Sequence, residues 1–140
     1  MSSGAARRLK VMSIDLTTCK IGPAAAVSDL ARAREFYEGP LGLRPIGEDS
    51  DEAVNYACGD GTALTVYRSA YAGQTSATIA GFEVPDVADA VRELSGRGVT
   101  FEQYDQPGLK TDERGIFDPG PFRAAWFRDP DGNTFAITGQ

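Results

Sequence analysis

An internal repeat organises this chain. Around Val27 it reads VSDLARAREFYEGPLGL, and around Val84 it reads VPDVADAVRELSGRGV. Each copy places an apolar residue, a Ser or Pro and an Asp ahead of a helical pattern. In the first, Leu30, Ala33, Phe36 and Tyr37 recur at helix spacing behind Asp29; in the second, Val87, Ala90, Val91 and Leu94 do so behind Asp86. Gly39-Pro40 stops the first helix, and Gly96 with Gly98 stops the second.

Short β-favouring runs surround each helix. The first copy predicts strands at Ala24–Val27, Leu43–Ile46, Val54–Cys58 and Ala63–Tyr67. The second predicts them at Thr78–Val84, Val99–Tyr104, Ala124–Arg128 and Thr134–Thr138. Turns GDGT and DPDG join the last two strands of each copy. The second copy is longer by a Gly- and Pro-rich insertion, PGLKTDERGIFDPGPF, between its second and third strands. An insertion of that length in a compact domain is more often functional than idle.

A βαβββ unit leaves one apolar sheet face uncovered, so two such units are expected to pair edge to edge. The expected fold class is α+β: two tandem βαβββ modules forming a curved, mostly antiparallel sheet of eight strands. Helices lie outside and a concave ligand trough inside. A tail is expected over 1–12 and a single domain over 13–140, with module one at about 13–70 and module two at about 75–140. Ser69–Ser76 reads as the linker.

Composition then removes whole classes of function. Net charge is −6, which argues against nucleic acid and anionic membranes, since both select clustered positive charge. The chain has no His, so Ser-His and Cys-His catalytic pairs and the commonest zinc sites are excluded. Cys19 and Cys58 stand far apart, as two small, reduced, partly buried residues of an intracellular protein. No apolar run approaches a membrane span, and Lys10, Ser13 and Asp15 break up what would be a signal sequence. The expected location is the cytoplasm.

Strand alternation sorts the side chains into two faces. Leu64, Val66, Phe82, Val84, Phe127, Phe135 and Ile137 share the phase that packs under the helices, and Cys58 joins them. The opposite phase carries Asn55, Thr65, Tyr67, Gly81, Glu83, Tyr104, Trp126, Thr134 and Ala136, with Ala24, Ala26 and Ala63. Small residues with a few rings, one amide and one acid suit a flat or bulky organic ligand. The candidate ligand-binding residues are Asn55, Tyr67, Glu83, Tyr104, Phe117, Phe122 and Trp126. Each has a plainer reading. Trp126, Tyr67 and Tyr104 fill a sheet surface or stack on a ligand. Glu83 is a base raised by an apolar trough or a rim residue paired with Arg123 or Arg128. Phe117 and Phe122 flank Asp118-Pro119-Gly120-Pro121 as the latch of a lid, or as core residues of a stiff 106–122 loop.

The two Asp-capped helices, with GFEVPDVADAVRELSGRGVTF and AAWFRDPDGNTFAI, resemble the vicinal oxygen chelate superfamily of glyoxalases, bleomycin-resistance proteins and extradiol dioxygenases. The resemblance runs from about Ile21 to Thr138. It implies four metal-ligand positions, which fall here on Gly22, Ile79, Thr65 and Ala136. None is the His or Glu a divalent ion requires. The expectation is therefore no metal and no cofactor. Gly22-Pro23 is similar to the bleomycin-resistance-like branch, which implies a homodimer that withholds bulky aromatic or peptidic antibiotics without turnover.

Two function classes stay open. One is a metal-independent protein that sequesters a small hydrophobic or aromatic molecule. The other is a metal-free isomerase, lyase or cyclase that moves a proton with Glu83 or a tyrosine. The scarcity of paired acid and base groups in the expected trough favours binding.

Overall fold

The computed structural model describes residues 15–18, 20–48 and 50–140. The expected tail at 1–12 and Cys19 lie outside the described residues. After a short 3-10 turn at Leu16–Thr18, the first module runs β1 (Ala24–Val27), α1 (Leu30–Glu38), β2 (Arg44–Ile46), β3 (Ala53–Ala57) and β4 (Ala63–Arg68). The second runs β5 (Thr78–Val84), α2 (Val87–Gly96), β6 (Asp105–Gln106), β7 (Leu109–Lys110), β8 (Ile116–Phe117), β9 (Arg123–Arg128) and β10 (Thr134–Gly139).

Both helices begin where their aspartates stand. Asp29 Oδ1 accepts the Arg32 N–H at 3.1 Å, and Asp86 Oδ1 accepts the Asp89 N–H at the same distance. Gly39 caps the end of α1, its N–H bonded to the Glu35 carbonyl in a backbone position where any Cβ would strike that same carbonyl. Gly98, at φ 101°, turns the chain out of α2, where its N–H and that of Val99 bond back to Ser95 and Leu94.

The strands form two mixed sheets of four, ordered β1-β4-β3-β2 and β5-β10-β9-β8. In each, the first strand lies parallel to the last and the other pairings are antiparallel. The two tandem modules are thus as expected. The continuous eight-stranded sheet is not: among the described residues no ladder joins the two sheets. They meet through side chains instead. Phe36 and Tyr37 of α1 reach Phe127 and Phe135 of the second sheet, with ring centres 6.2 and 6.0 Å apart. Tyr37, Tyr56, Phe127, Phe135, Leu64 and Val66 are all sealed in one shared core. Of the phase that alternation assigned to the helices, Leu64, Val66, Phe127, Phe135 and Ile137 are buried, and Phe82, Val84 and Cys58 are half-buried against them.

Two expectations about the second module are corrected. Val99–Tyr104 is not a strand; only Phe101 bridges to Phe127. The neighbour of β9 at its other end is β8, with Ile116 opposite Ala125 and Phe117 opposite Ala124. The edge strand is thus split, and the chain leaves it after Glu102 and returns at Gly115. That return is tight: Gly115 has φ 89°, and a Cβ there would sit 2.9 Å from both the Phe101 Cβ and the Glu102 carbonyl oxygen. The excursion contains the small hairpin β6–β7. Second, Thr134 is sealed rather than facing a trough, its hydroxyl directed at the Ser76 carbonyl at 3.2 Å. The Ser69–Ser76 segment is tied down as well, through Ser69 N–H to the Val27 carbonyl.

Candidate functional site, an aromatic face on the second sheet

The helices cover one face of each sheet, and the opposite face of the second sheet gathers the rings. Register defines its rows. Gly81, Ala136 and Trp126 lie side by side across β5, β10 and β9. The next row holds Glu83, Thr138, Ala124 and Phe117. The floor between the outer strands is made of Gly81, Ala136, Ala124 and Thr138, short side chains, with Ala124 and Ala136 themselves buried. Three interstrand spacings make it about 14 Å wide.

Trp126, half-buried, stands at one side of that floor. Phe117 lies beside it with ring centres 6.2 Å apart at 41°. Tyr104 meets it edge-on at 5.6 Å and 81°. Such edge and tilted contacts match the aromatic quadrupole and fix the three rings relative to one another. Phe117 arrives on β8. Tyr104 arrives on the excursion, and its place is set by one residue across the limb. The Tyr104 N–H donates to Thr111 Oγ1 at 2.8 Å, and the Thr111 N–H donates to the Tyr104 carbonyl at 3.0 Å. Glu102 N–H to the Trp126 carbonyl, at 2.8 Å, anchors the limb to β9 just before. Asp112 fixes the returning limb. Burial pushes its carboxyl up, but N–H donors from Ile116 and Arg114 together with the Arg114 guanidinium outweigh this and hold it below the usual range.

The other sequence candidates lie elsewhere. Asn55 and Tyr67 stand on the first sheet, where Asn55 faces Thr65 directly and accepts its hydroxyl at 2.6 Å. Tyr67 is 39% exposed beside Ala53 and Ala26. No described contact brings either to the ring cluster. Glu83 shares the ring face but is exposed, so the expectation of a carboxylate enclosed by apolar walls is corrected. It lines a depression of about 380 Å3 with Cys58, Asp60 and Gly81. Neither arginine expected beside it is there: Arg128 pairs with Glu102 and Arg123 with Asp118, each at 3.2 Å. Phe117 and Phe122 do not form a latch. Phe122 is 48% exposed and borders a separate depression with Asp86 and Gln140. Cys58 is half-buried, and that burial pushes its thiol up, away from thiolate chemistry.

The four positions implied for metal ligands can now be tested against their surroundings. Ile79 is the extra residue where β5 slips against β10, since Thr78 faces Thr134 and Ala80 faces Phe135. A side chain at Gly22 would meet the Ala63 carbonyl at 3.1 Å. Ala136 is part of the floor. The one oxygen among the four side chains is Thr65 Oγ1, already donating to Asn55. This donor set does not fit a divalent ion.

Sequence reasoning missed a polar clasp between the modules. The Tyr37 hydroxyl donates to Asp129 Oδ2 at 2.6 Å, and Asn133 Nδ2 donates to the same oxygen at 2.8 Å and to the Ala26 carbonyl at 2.7 Å. Asp129 Oδ1 accepts the N–H groups of Asp131 and Asn133. Ser28 Oγ and Arg32 converge on Asp131 Oδ1. The DPDGN turn thus docks onto the start of α1. A tyrosine hydroxyl on the apolar stripe of a predicted helix was the available signal, because buried hydroxyls require partners.

Comparison with known proteins gives a consistent result. Residues 20–137 match the profile of the Glyoxalase/Bleomycin resistance protein/Dioxygenase superfamily. The curated proteins yield no match. Among solved structures, a glyoxalase/bleomycin resistance protein from Catenulispora acidiphila is 21% identical, with TM-score 0.62 over 88% of this chain and 99% of that one. A fosfomycin resistance protein from Listeria monocytogenes is 14% identical, with TM-score 0.63 over 88% and 93%. A lactoylglutathione lyase from Agrobacterium tumefaciens is 19% identical, with TM-score 0.59 over 87% and 93%. At such identities the likeness is one of fold. The profile match spans most of the chain, and the chain belongs to the glyoxalase/bleomycin resistance protein/dioxygenase superfamily.

Proposed function

We propose that this protein is a metal-independent binding protein that holds an aromatic or bulky hydrophobic small molecule, such as an antibiotic, against the face of its second sheet. The observation that carries the reading is the ring cluster. Trp126, the chain's only tryptophan, is presented half-buried between Tyr104 and Phe117 above a floor of small residues. A flat ligand on that floor buries ring surface against Trp126 and keeps the edge contacts of its neighbours. Burial of about 150 Å2 of apolar area corresponds to about 4 kcal/mol, and each well-placed ring contact adds about 1 kcal/mol. The unfitted metal positions favour withholding over turnover. In this reading the protein works as a homodimer in the cytoplasm, and pairing covers the sheet edges at β1 and β5. Among the described residues no helix is long and apolar enough to cross a membrane.

The test is a panel of aromatic and peptidic antibiotics, read by Trp126 fluorescence and thermal shift. Saturable quenching of the wild type, together with a ligand thermal shift that in Trp126→Ala requires at least about tenfold more ligand, supports the reading. A panel with no saturable quenching and no thermal shift contradicts it.

One observation favours a second reading. Glu83 stands in the same cross-strand row as Phe117, so a carboxylate reaches the far side of the ring face. A metal-free isomerase, lyase or cyclase would use it, or a tyrosine, for proton transfer. Glu83→Gln separates the two. Retained affinity with turnover reduced about 100-fold or more marks an enzyme. Retained affinity with no product from either protein marks a binder.

A further inference from the structure

Behind the excursion, away from the ring face, the molecule has a depression of about 520 Å3, within the range of small-molecule sites. One wall is a single face of α2, formed by Ala88, Val91, Arg92 and Ser95. Spacings of three and four residues set these side chains in a row. The floor is Val91, Val99 and Phe101, which are 3%, 4% and 8% exposed, so the bottom is apolar and closed. The far wall is the excursion itself, through Gln103, Glu113 and Arg114.

The groove lining places two guanidinium groups, Arg92 and Arg114, on opposite walls, with the Glu113 carboxylate beside them. Each arginine is held by an aspartate on its own element. Arg92 Nη2 lies 2.7 Å from Asp89 Oδ1, and Arg114 Nη2 and Nε lie 2.8 and 3.2 Å from Asp112 Oδ2. These pairs use only part of the five donors of each guanidinium, leaving N–H groups for a second acceptor. Gln103 is fixed too, its Nε2 donating to the Glu113 carbonyl at 2.8 Å. The two arginines stand on opposite walls above an apolar floor, which is the arrangement that recognises an anionic head on an apolar body.

We propose that this groove is a second ligand site, separate from the ring face, and that it takes a small organic anion consisting of a planar apolar body with a carboxylate or phosphate. The body rests on Val99 and Phe101, and the anionic group lies between Arg92 and Arg114.

The test uses 2-naphthoate as the probe and 2-naphthalenemethanol as its neutral counterpart, followed by amide shifts of the nitrogen-15-labelled full chain. The expected result is a saturable shift at Ser95, Gln103 and Arg114 with Kd of about 1 mM or tighter, and at least about fivefold weaker binding of the neutral probe. Combining Arg92→Gln with Arg114→Gln should weaken naphthoate at least about tenfold. Arg92→Gln alone, remote from the excursion, should weaken it about threefold. Ala88→Phe, which fills the groove, should remove the shifts while α2 keeps its helical amide pattern. Equal binding of the two probes, or unchanged affinity in the double variant, overturns the proposal. Shifts confined to Trp126 and Tyr104 also overturn it, while leaving the ring face in place as a binding surface.

Discussion

Tyr37 and Asp129, 92 residues apart in sequence, meet at 2.6 Å in the interior and tie the helix of the first module to the last turn of the second. The tyrosine is fully sealed, and burial, more than the neighbouring Asp129 carboxylate, drives its ionisation far above the ordinary range. Tyr37→Phe keeps the ring in the core and leaves Asp129 Oδ2 with Asn133 alone. The expected loss is about 1–3 kcal/mol in denaturant unfolding.

The same contact predicts an alkaline signature. A tyrosine whose folded pKa is raised contributes stability that is complete below its unfolded pKa of about 10 and is lost as pH rises beyond it. Tyr56, also raised by burial and by its bond to Glu38, behaves alike. Stability should therefore fall above about pH 10, by up to about 1.4 kcal/mol per pH unit for each tyrosine. Tyr37→Phe should show a shallower fall than the wild type, by about one tyrosine's share. Equal slopes would contradict the burial of this hydroxyl.

Thr111 governs where Tyr104 stands. Thr111→Val removes the oxygen that accepts the Tyr104 N–H, whereas Thr111→Ser retains it. The valine variant should bind aromatic ligands about threefold to tenfold more weakly, with a changed near-UV spectrum of Trp126. The serine variant should match the wild type in both. Identical affinity in valine and serine variants would show that Tyr104 is placed by other contacts.

Gly115 closes the split edge strand. A side chain there meets Phe101 and Glu102 at 2.9 Å and holds a φ of 89° that other residues adopt only under strain. Gly115→Ala should cost about 1–3 kcal/mol and displace Phe117 two residues on. Weakened ring stacking should appear in the Trp126 spectrum before global unfolding.

Asp112 gives an acid signature at the same turn. Its folded pKa is lowered, so its contribution is present above the unfolded value of about 4 and is lost as pH falls below it. Protection of the Ile116 amide, corrected for intrinsic exchange, should fall below about pH 4. In Asp112→Asn that protection should be low at every pH.

Much of this was legible in the sequence. Asp29 and Asp86 cap the two helices they precede, and β5 spans Thr78–Val84 as the alternation indicated. Those features are local, and local chemistry decides them. The second strand of the second module was not legible, because Val99 and Phe101 carry the same alternation as a strand. Only tertiary pairing shows that Ile116 and Phe117 take most of that place on β9. Trp126 and Tyr104 share one strand phase in the sequence and meet in the structure, but Thr111, which holds Tyr104, is an ordinary residue in a polar loop. Phe122 looked equivalent to Phe117 in sequence; one extra turn of Gly and Pro leaves it on the surface. Asp129 and Asn133 were visible as a turn, and nothing local indicated that the turn docks on α1.

The proposed site on the ring face takes an aromatic molecule without a metal. The most direct measurement is a Trp126 fluorescence titration of chelator-treated protein against the best antibiotic from the panel, with elemental analysis of the same sample. Saturable quenching is expected with Zn, Ni, Fe and Mn each below about one-tenth equivalent, unchanged by added metal and weakened at least about tenfold by Phe117→Ala. Quenching that appears only when a stoichiometric divalent metal is restored would contradict it.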